Sequence, residues 1–190
     1  MILHQKQLFS KQESIRIREY VRELKDRVVK TYHPDINNGD HDNEGGHNLA
    51  DHIAWSSSNE YDWVSQRILN WVSSLNLDPK IDNLGWEFIL QKYPPGYEFK
   101  PHIDHVLSSD NRTIIRERYY TILIQLSTPD EYSGGELFVD SNGTYKINSS
   151  IGTTCIFGPA QLHWVTKITD GERWSCTIFL EKDAIVKSIL

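Results

Sequence analysis

The chain is poor in cysteine, in long apolar runs and in net positive charge. Its two cysteines, Cys155 and Cys176, do not make a disulfide framework, so we expect a reducing, intracellular setting. The first residues contain no signal-peptide hydrophobic region, and no apolar run approaches the length of a membrane-spanning helix. A net charge of -6 argues against a phosphate-binding surface. We therefore expect a soluble, cytoplasmic protein with no membrane and no nucleic-acid partner.

What the chain does have suits a β-rich domain. Its 190 residues fit a single domain, residues 1–190, with a sizeable core. Eleven glycines, six tryptophans and nine tyrosines are typical of strands joined by tight turns. We predict helical support over about residues 1–80 and a β core over about residues 84–182.

Two amphipathic helices are predicted in the amino-terminal part, after a short strand within residues 2–9. Ser10 and Glu13 have the spacing of a capping box, and apolar residues follow them at helical intervals. A second apolar stripe covers Tyr61–Leu75. We expect both helices to cover a sheet.

The segment of residues 32–60 separates these helices and is predicted to be a long loop. It shows no periodicity, and histidines are scattered among Asp, Asn and Gly: His33, His41, His47 and His52. It is interpreted either as a solvated insertion, as a lid that closes over the active site with Trp55 against substrate or rim, or as an accessory metal site.

The remaining chain reads as short strands with turns between them. Tyr119–Leu126 is apolar on both faces, which predicts a central strand. His163 opens a late strand, and a turn at Asp170–Gly171 is expected to fold the strand of Arg173 back beside it. These patterns predict a mainly β fold, a sandwich or jelly roll with helices packed outside.

The chemistry is carried by His102 and Asp104, which project from one face if their segment is a strand. An imidazole and a carboxylate side by side are two thirds of a 2-His-1-carboxylate triad for Fe(II). His163 is the candidate third ligand; the alternative is a structural histidine bonded to backbone. Arg173 and Ser175, also two apart, form a candidate carboxylate clamp, and the alternative for Arg173 is a rim ion pair with Glu172 or Asp170.

Several motifs together resemble the Fe(II)/2-oxoglutarate-dependent oxygenases, in their prolyl-4-hydroxylase-like branch. They are Tyr93-Pro, Gly96-Tyr97 and His102-Ile-Asp104, then Ser133-Gly-Gly-Glu-Leu137, then His163 followed ten residues later by Arg173-Trp-Ser175. The order of elements matches over about Phe9–Leu180 and the motifs over Tyr93–Leu180.

The resemblance implies a double-stranded β-helix, or cupin-like jelly roll, that acts as a hydroxylase. It implies that His102, Asp104 and His163 bind Fe(II). It also implies that Arg173, helped by Ser175, binds the distal carboxylate of 2-oxoglutarate, with Tyr93 bonding the cosubstrate or lining its pocket.

One position departs from the family pattern. Gln125 stands where many relatives have a tyrosine, which puts the shape of that pocket wall in question, although an amide still donates to a carboxylate. The intact carboxylate of Asp104 argues against halogenating relatives.

The reaction implied is hydroxylation of an aliphatic C–H with O2, coupled to conversion of 2-oxoglutarate to succinate and carbon dioxide, with ascorbate as a supporting reductant. Proline in a peptide or protein is the first candidate substrate; peptidyl lysine, a free amino acid or another small molecule are the others. Two alternatives are a nucleic-acid demethylase, which the acidic composition disfavours, and a non-catalytic β-barrel module with structural Zn(II) or no metal.

Overall fold

A computed structural model describes residues 3–24, 51–55, 62–77, 84–107, 114–116 and 118–182 of the chain. The helices and strands, numbered in chain order, are β1 (Leu3–Gln7), α1 (Lys11–Leu24), β2 (Asp51–Trp55), α2 (Asp62–Ser73), β3 (Leu84–Tyr93), β4 (Phe99–His102), β5 (Val106–Leu107), β6 (Ile114–Arg116), β7 (Arg118–Gln125), β8 (Tyr132–Gly134), β9 (Leu137–Asp140), β10 (Thr144–Lys146), β11 (Thr153–Phe157), β12 (His163–Val165), β13 (Ile168–Gly171) and β14 (Arg173–Lys182).

Two antiparallel sheets form the body of the fold. The larger has six strands in the order β1-β11-β7-β14-β3-β2, and the smaller has four in the order β10-β9-β12-β4. Between them lies a buried apolar cluster to which both sheets contribute, among others Leu123 from β7 and Val139 from β9. The predicted fold class is confirmed: the protein is mainly β, with a jelly-roll core.

The outer face of the larger sheet is covered by the two helices, as predicted. Ile17 of α1 and Ile68 of α2 pack in one buried cluster with Ile122 of β7 and Ile178 of β14. Successive residues of a strand point to opposite faces, so β7 is buried on both. Neither helix, within the part of the chain described above, is long and apolar enough to cross a membrane.

The start of α1 is fixed by the capping box that the sequence predicts. The Glu13 backbone N–H donates to Ser10 Oγ at 3.3 Å, and Glu13 Oε2 accepts from the Ser10 backbone N–H at 2.9 Å. These bonds satisfy donors that a helix start leaves unpaired, and the amide of Ser10 holds the pKa of Glu13 below its usual range. Glu13 also accepts from Arg67 of α2 at 2.7 Å, which ties the helices together.

Two expectations about the fold are wrong. Residues 32–60 were predicted to be loop throughout, but Asp51–Trp55 forms β2, which pairs with β3 at the sheet edge. The strand of Arg173 was expected beside that of His163; instead β12 belongs to the smaller sheet and β14 to the larger. Asp170 and Gly171 lie within β13, which pairs with β8, so the chain crosses between sheets there. The rest of the predicted loop, at residues 32–50 and 56–60, lies outside the described residues, and so does the lid or accessory-metal interpretation of it.

Candidate metal and cosubstrate site

Strand pairing in the smaller sheet places two histidines opposite each other. His102 ends β4 and His163 begins β12, and the two residues are direct register partners. Their ring centroids are 4.1 Å apart. The sequence predicts that both face the same site, and the structure places them together.

Both imidazoles are oriented by a backbone carbonyl. His102 Nδ1 lies 2.8 Å from the Lys100 oxygen, and His163 Nδ1 lies 2.9 Å from the Gln161 oxygen. A carbonyl only accepts, so each Nδ1 carries a hydrogen, and Nε2 is the ring nitrogen that faces Asp104. This placement of the hydrogen suits coordination of a metal through Nε2.

Asp104 brings its carboxylate to these two nitrogens. Oδ1 lies 3.7 Å from His102 Nε2, and Oδ2 lies 3.4 Å from His163 Nε2. One ligand atom from each of the three residues lies within 4.8 Å of the others. Bonds of about 2.1 Å to one octahedral ion would separate neighbouring ligand atoms by about 3 Å, so a small closure suffices.

A second polar cluster surrounds Arg173 on the larger sheet. Its side chain is fully buried, at 0% exposure. One terminal nitrogen donates to Gln125 Oε1 at 2.8 Å and the other to Ser175 Oγ at 3.3 Å. Gln125 is the register partner of Ser175 across β7 and β14. Three of the four residues predicted for the cosubstrate pocket, Arg173, Ser175 and Gln125, therefore lie together.

The guanidinium of Arg173 has no counter-anion among the residues that the structure describes. Its Nε is buried with no hydrogen-bond partner, and among the described residues no carboxylate forms an ion pair with it. The alternative ion pairs with Glu172 or Asp170 are therefore not formed; Glu172 pairs with Lys92 at 2.6 Å instead. A buried cation with neutral partners and an unused N–H is the environment that a bound carboxylate would complete.

A glycine makes room for this arginine. Gly135 has φ +65°, and a Cβ there would lie 2.9 Å from Arg173 Cδ and closer still to Ile168 Cδ1. Such approaches are shorter than atoms tolerate, so the Gly-Gly motif is explained by backbone conformation together with space for the arginine.

Tyr93 lies opposite Arg173 in the pairing of β3 with β14, with its ring 5.3 Å from the guanidinium carbon. Burial raises the pKa of its phenol to about 12; the charge of Arg173 acts against that rise and the charge of Asp104 adds to it. The phenol therefore keeps its proton at neutral pH, and the charges of Arg173 and Asp104 both act on it.

The sequence reasoning missed four polar residues of the inner walls. Gln91 accepts from Thr177 at 2.8 Å and from Ser175 at 3.3 Å. Thr121 and Arg118 both donate to Asp104. The available signal was spacing: Gln91 is two residues from Tyr93, Thr177 two from Ser175, and Thr121 four from Gln125, so each shares a strand face with a predicted residue.

The donor set suits the groups that the sequence implies. Two imidazoles and one carboxylate that leave further positions free fit non-haem Fe(II). Both histidines have their hydrogen on Nδ1, which leaves Nε2 for a metal. The buried guanidinium of Arg173 has an N–H without a hydrogen-bond partner, which an anionic ligand could accept.

Comparison with known proteins agrees with this geometry. Residues 88–181 match the family model of the 2OG-Fe(II) oxygenase superfamily. A PKHD-type hydroxylase of Shewanella sp. (strain ANA-3) is 35% identical over an alignment of 100 positions, and this alignment covers 48% of this chain and 44% of the relative. The chain thus spans less than half the length of that curated relative.

Two solved structures share the fold. A viral collagen prolyl hydroxylase from Paramecium bursaria Chlorella virus-1, in a 2OG complex, aligns with a TM-score of 0.66 at 17% identity and covers 96% of both chains. A prolyl hydroxylase from Trichoplax adhaerens, in complex with a peptide fragment of hypoxia inducible factor, aligns with a TM-score of 0.65 at 16% identity over 95% of this chain and 83% of its own.

Proposed function

The chain belongs to the 2OG-Fe(II) oxygenase superfamily, and from this premise we propose that it is an Fe(II)- and 2-oxoglutarate-dependent hydroxylase. The observation that carries the proposal is the convergence of His102, Asp104 and His163, with both imidazoles in the ligand tautomer. Fe(II), when bound with 2-oxoglutarate, supplies the activation of O2 for hydroxylation.

The residues of the chain have separate tasks in this proposal. His102, Asp104 and His163 would hold the metal from one side, which leaves other positions for cosubstrate and O2. Arg173 would bind the distal carboxylate of 2-oxoglutarate through its buried guanidinium, whose Nε has no partner of its own.

The neighbours of Arg173 shape the same pocket. The Gln125 carbonyl already accepts from Arg173, so a bound carboxylate would compete with it for that donor. Ser175 accepts from Arg173 and donates to Gln91, which makes it a support for the guanidinium. Tyr93 keeps its proton and is available as a donor.

We further propose that the substrate is proline in a peptide or protein, with conversion of an aliphatic C–H to C–OH. The relative from Shewanella is named a PKHD-type hydroxylase. The fold is shared with prolyl hydroxylases, and the one from Trichoplax adhaerens was solved with a peptide. Peptides are therefore the first substrate class to test.

The test is an incubation with Fe(II), ascorbate and 2-oxoglutarate, with and without a panel of proline-containing peptides. We expect succinate to form, faster with an accepted peptide, together with the gain of one oxygen atom by that peptide. Metal binding without succinate under any condition would contradict the oxygenase proposal and favour a binding module. Succinate formation that lysine peptides or free amino acids accelerate, and proline peptides do not, would contradict the substrate proposal alone.

A further inference from the structure

Asp104 is held from two directions by the central strand β7. Thr121 Oγ1 donates to Asp104 Oδ2 at 2.6 Å, and an Arg118 terminal nitrogen donates to the Asp104 backbone oxygen at 2.9 Å. We propose that Thr121 and Arg118 are positioning residues for the metal-binding Asp104: Arg118 fixes its backbone, and Thr121 orients its carboxylate so that Oδ1 faces the metal. This inference rests on the proposed function.

Asp104 needs such support because it lies outside any strand. It follows the end of β4 at His102, and its own backbone N–H is fixed by the Pro159 oxygen at 2.8 Å. That bond places the main chain but leaves the carboxylate free to rotate. Thr121 lies within β7, buried at 1% exposure, and its β-branched side chain has restricted rotation. A rigid donor on a central strand therefore fixes a carboxylate on an irregular segment.

The polarity of this hydrogen bond decides which oxygen remains for the metal. A carboxylate only accepts, so the Thr121 hydroxyl hydrogen is committed to Oδ2, and 2.6 Å is typical of a charge-assisted bond. Oδ2 keeps a second lone pair and lies 3.4 Å from His163 Nε2, whereas Oδ1 lies 3.7 Å from His102 Nε2 and, within the described part of the chain, accepts no hydrogen bond. The arrangement favours binding of the metal through Oδ1, with Oδ2 held by Thr121.

Arg118 reaches Asp104 through an irregularity of the sheet. Leu180 pairs with Tyr120 but Glu181 pairs with Arg118, so one extra residue stands in β7. Such a bulge, here at Tyr119, re-aims the side chains beside it. Arg118 thereby lies on the same side as Thr121, and its guanidinium carbon stacks 3.5 Å from the ring centroid of Phe179, the register partner of Thr121.

The test measures metal binding directly. Anaerobic titration with Fe(II), and with Co(II) as a spectroscopic probe, is compared for wild type, Thr121→Val and Thr121→Ser. Valine keeps the shape and removes the donor, so we expect about 10- to 100-fold weaker binding and an altered Co(II) visible spectrum. Serine restores the hydroxyl and should recover most of the affinity.

The matched control is Thr154→Val. Thr154 is as buried as Thr121 and lies in the same sheet on β11, but within the described ranges its hydroxyl bonds only the Gly152 oxygen, at 3.4 Å. Its substitution should leave metal affinity and the Co(II) spectrum unchanged. Arg118→Met keeps part of the contact with Phe179 and removes the bond to Asp104, so it should also weaken binding; it replaces Thr121→Val if that variant does not fold.

The outcomes separate this inference from the proposed function. If wild type binds Co(II), and Thr121→Val (or Arg118→Met in its place) binds it equally well with the same spectrum, the inference is overturned. The proposed function is then unaffected. Equal weakening in Thr154→Val also overturns it, because the loss would then reflect general destabilisation. Wild type that binds neither metal overturns the proposed function and the inference with it.

Discussion

Replacement of Arg173 with methionine tests the proposed cosubstrate pocket most directly. The guanidinium is fully buried, bonds only neutral groups among the described residues and carries an unpartnered Nε. A bound carboxylate would form a desolvated charge pair with it, and removal of one partner of such a pair costs about 2–5 kcal/mol. At about 1.4 kcal/mol per factor of ten, the apparent KM for 2-oxoglutarate should rise about 30- to 4,000-fold.

The same substitution should not destabilise the protein without cosubstrate. A buried cation without an anion is unfavourable, and methionine fills much of the volume without that cost. We therefore expect the Tm of Arg173→Met to equal or exceed that of wild type in the absence of 2-oxoglutarate. The loss of binding is then separable from unfolding.

The assay combines turnover with thermal unfolding. At 100 times its Kd, 2-oxoglutarate should stabilise the wild type by about 2.7 kcal/mol, and this shift should disappear in Arg173→Met at the same concentration. Arg173→Lys should recover binding in part, because an ammonium lacks the planar fork. An unchanged KM together with an unchanged thermal shift would remove Arg173 from the pocket.

Three further substitutions test other parts of the site. Asp104→Ala leaves two imidazoles and should abolish both Fe(II) binding, measured by titration, and succinate formation; retained binding would place the metal elsewhere. Gly135→Ala should raise the KM for 2-oxoglutarate, because the added Cβ would crowd Arg173. The control is Gly143→Ala, also at positive φ, where an added Cβ would lie 3.8 Å from the nearest atom and should leave this KM unchanged. Equal effects of the two substitutions would point to backbone strain alone. The pKa of Tyr93 is raised from 10.0 to about 12, so its contribution to stability is present below about pH 10 and lost as the pH rises towards 12. Tyr93→Phe should therefore lose less unfolding free energy than wild type between about pH 9 and about pH 11 in urea titrations, and equal losses would contradict that assignment.

Local signals were sufficient for the elements that carry the site. The spacing of Ser10 and Glu13 predicted where α1 begins, and the same two side chains form the cap. His102 and Asp104 were predicted to act together, because residues two apart share a face of a strand. The structure differs in detail: β4 ends at His102, and Asp104 reaches the same place from the irregular segment that follows.

Pairing between distant segments could not be read from local pattern. Asp51–Trp55 carries a mixed pattern and becomes a strand because the edge of β3 offers backbone partners. His163 and Arg173 were expected on neighbouring strands because ten residues separate them. The intervening β13 pairs with β8 and carries the chain to the opposite sheet. Thr121 was read as part of an apolar strand, since its partner Asp104 is 17 residues away.

The two central strands of the larger sheet serve the core and the site through their alternating faces. Ile122 and Ile178 pack outward among the helices, while Gln125, Arg173 and Ser175 form the polar inner cluster. Apolar burial on one face thereby makes rigid the backbone that holds polar groups on the other. Burial of the Arg173 guanidinium among neutral partners opposes folding, and the outer core stabilises the fold against it. A bound carboxylate would convert this unpaired buried charge into a charge pair. Because the guanidinium is desolvated during folding, its desolvation does not reduce the free energy of the proposed cosubstrate binding.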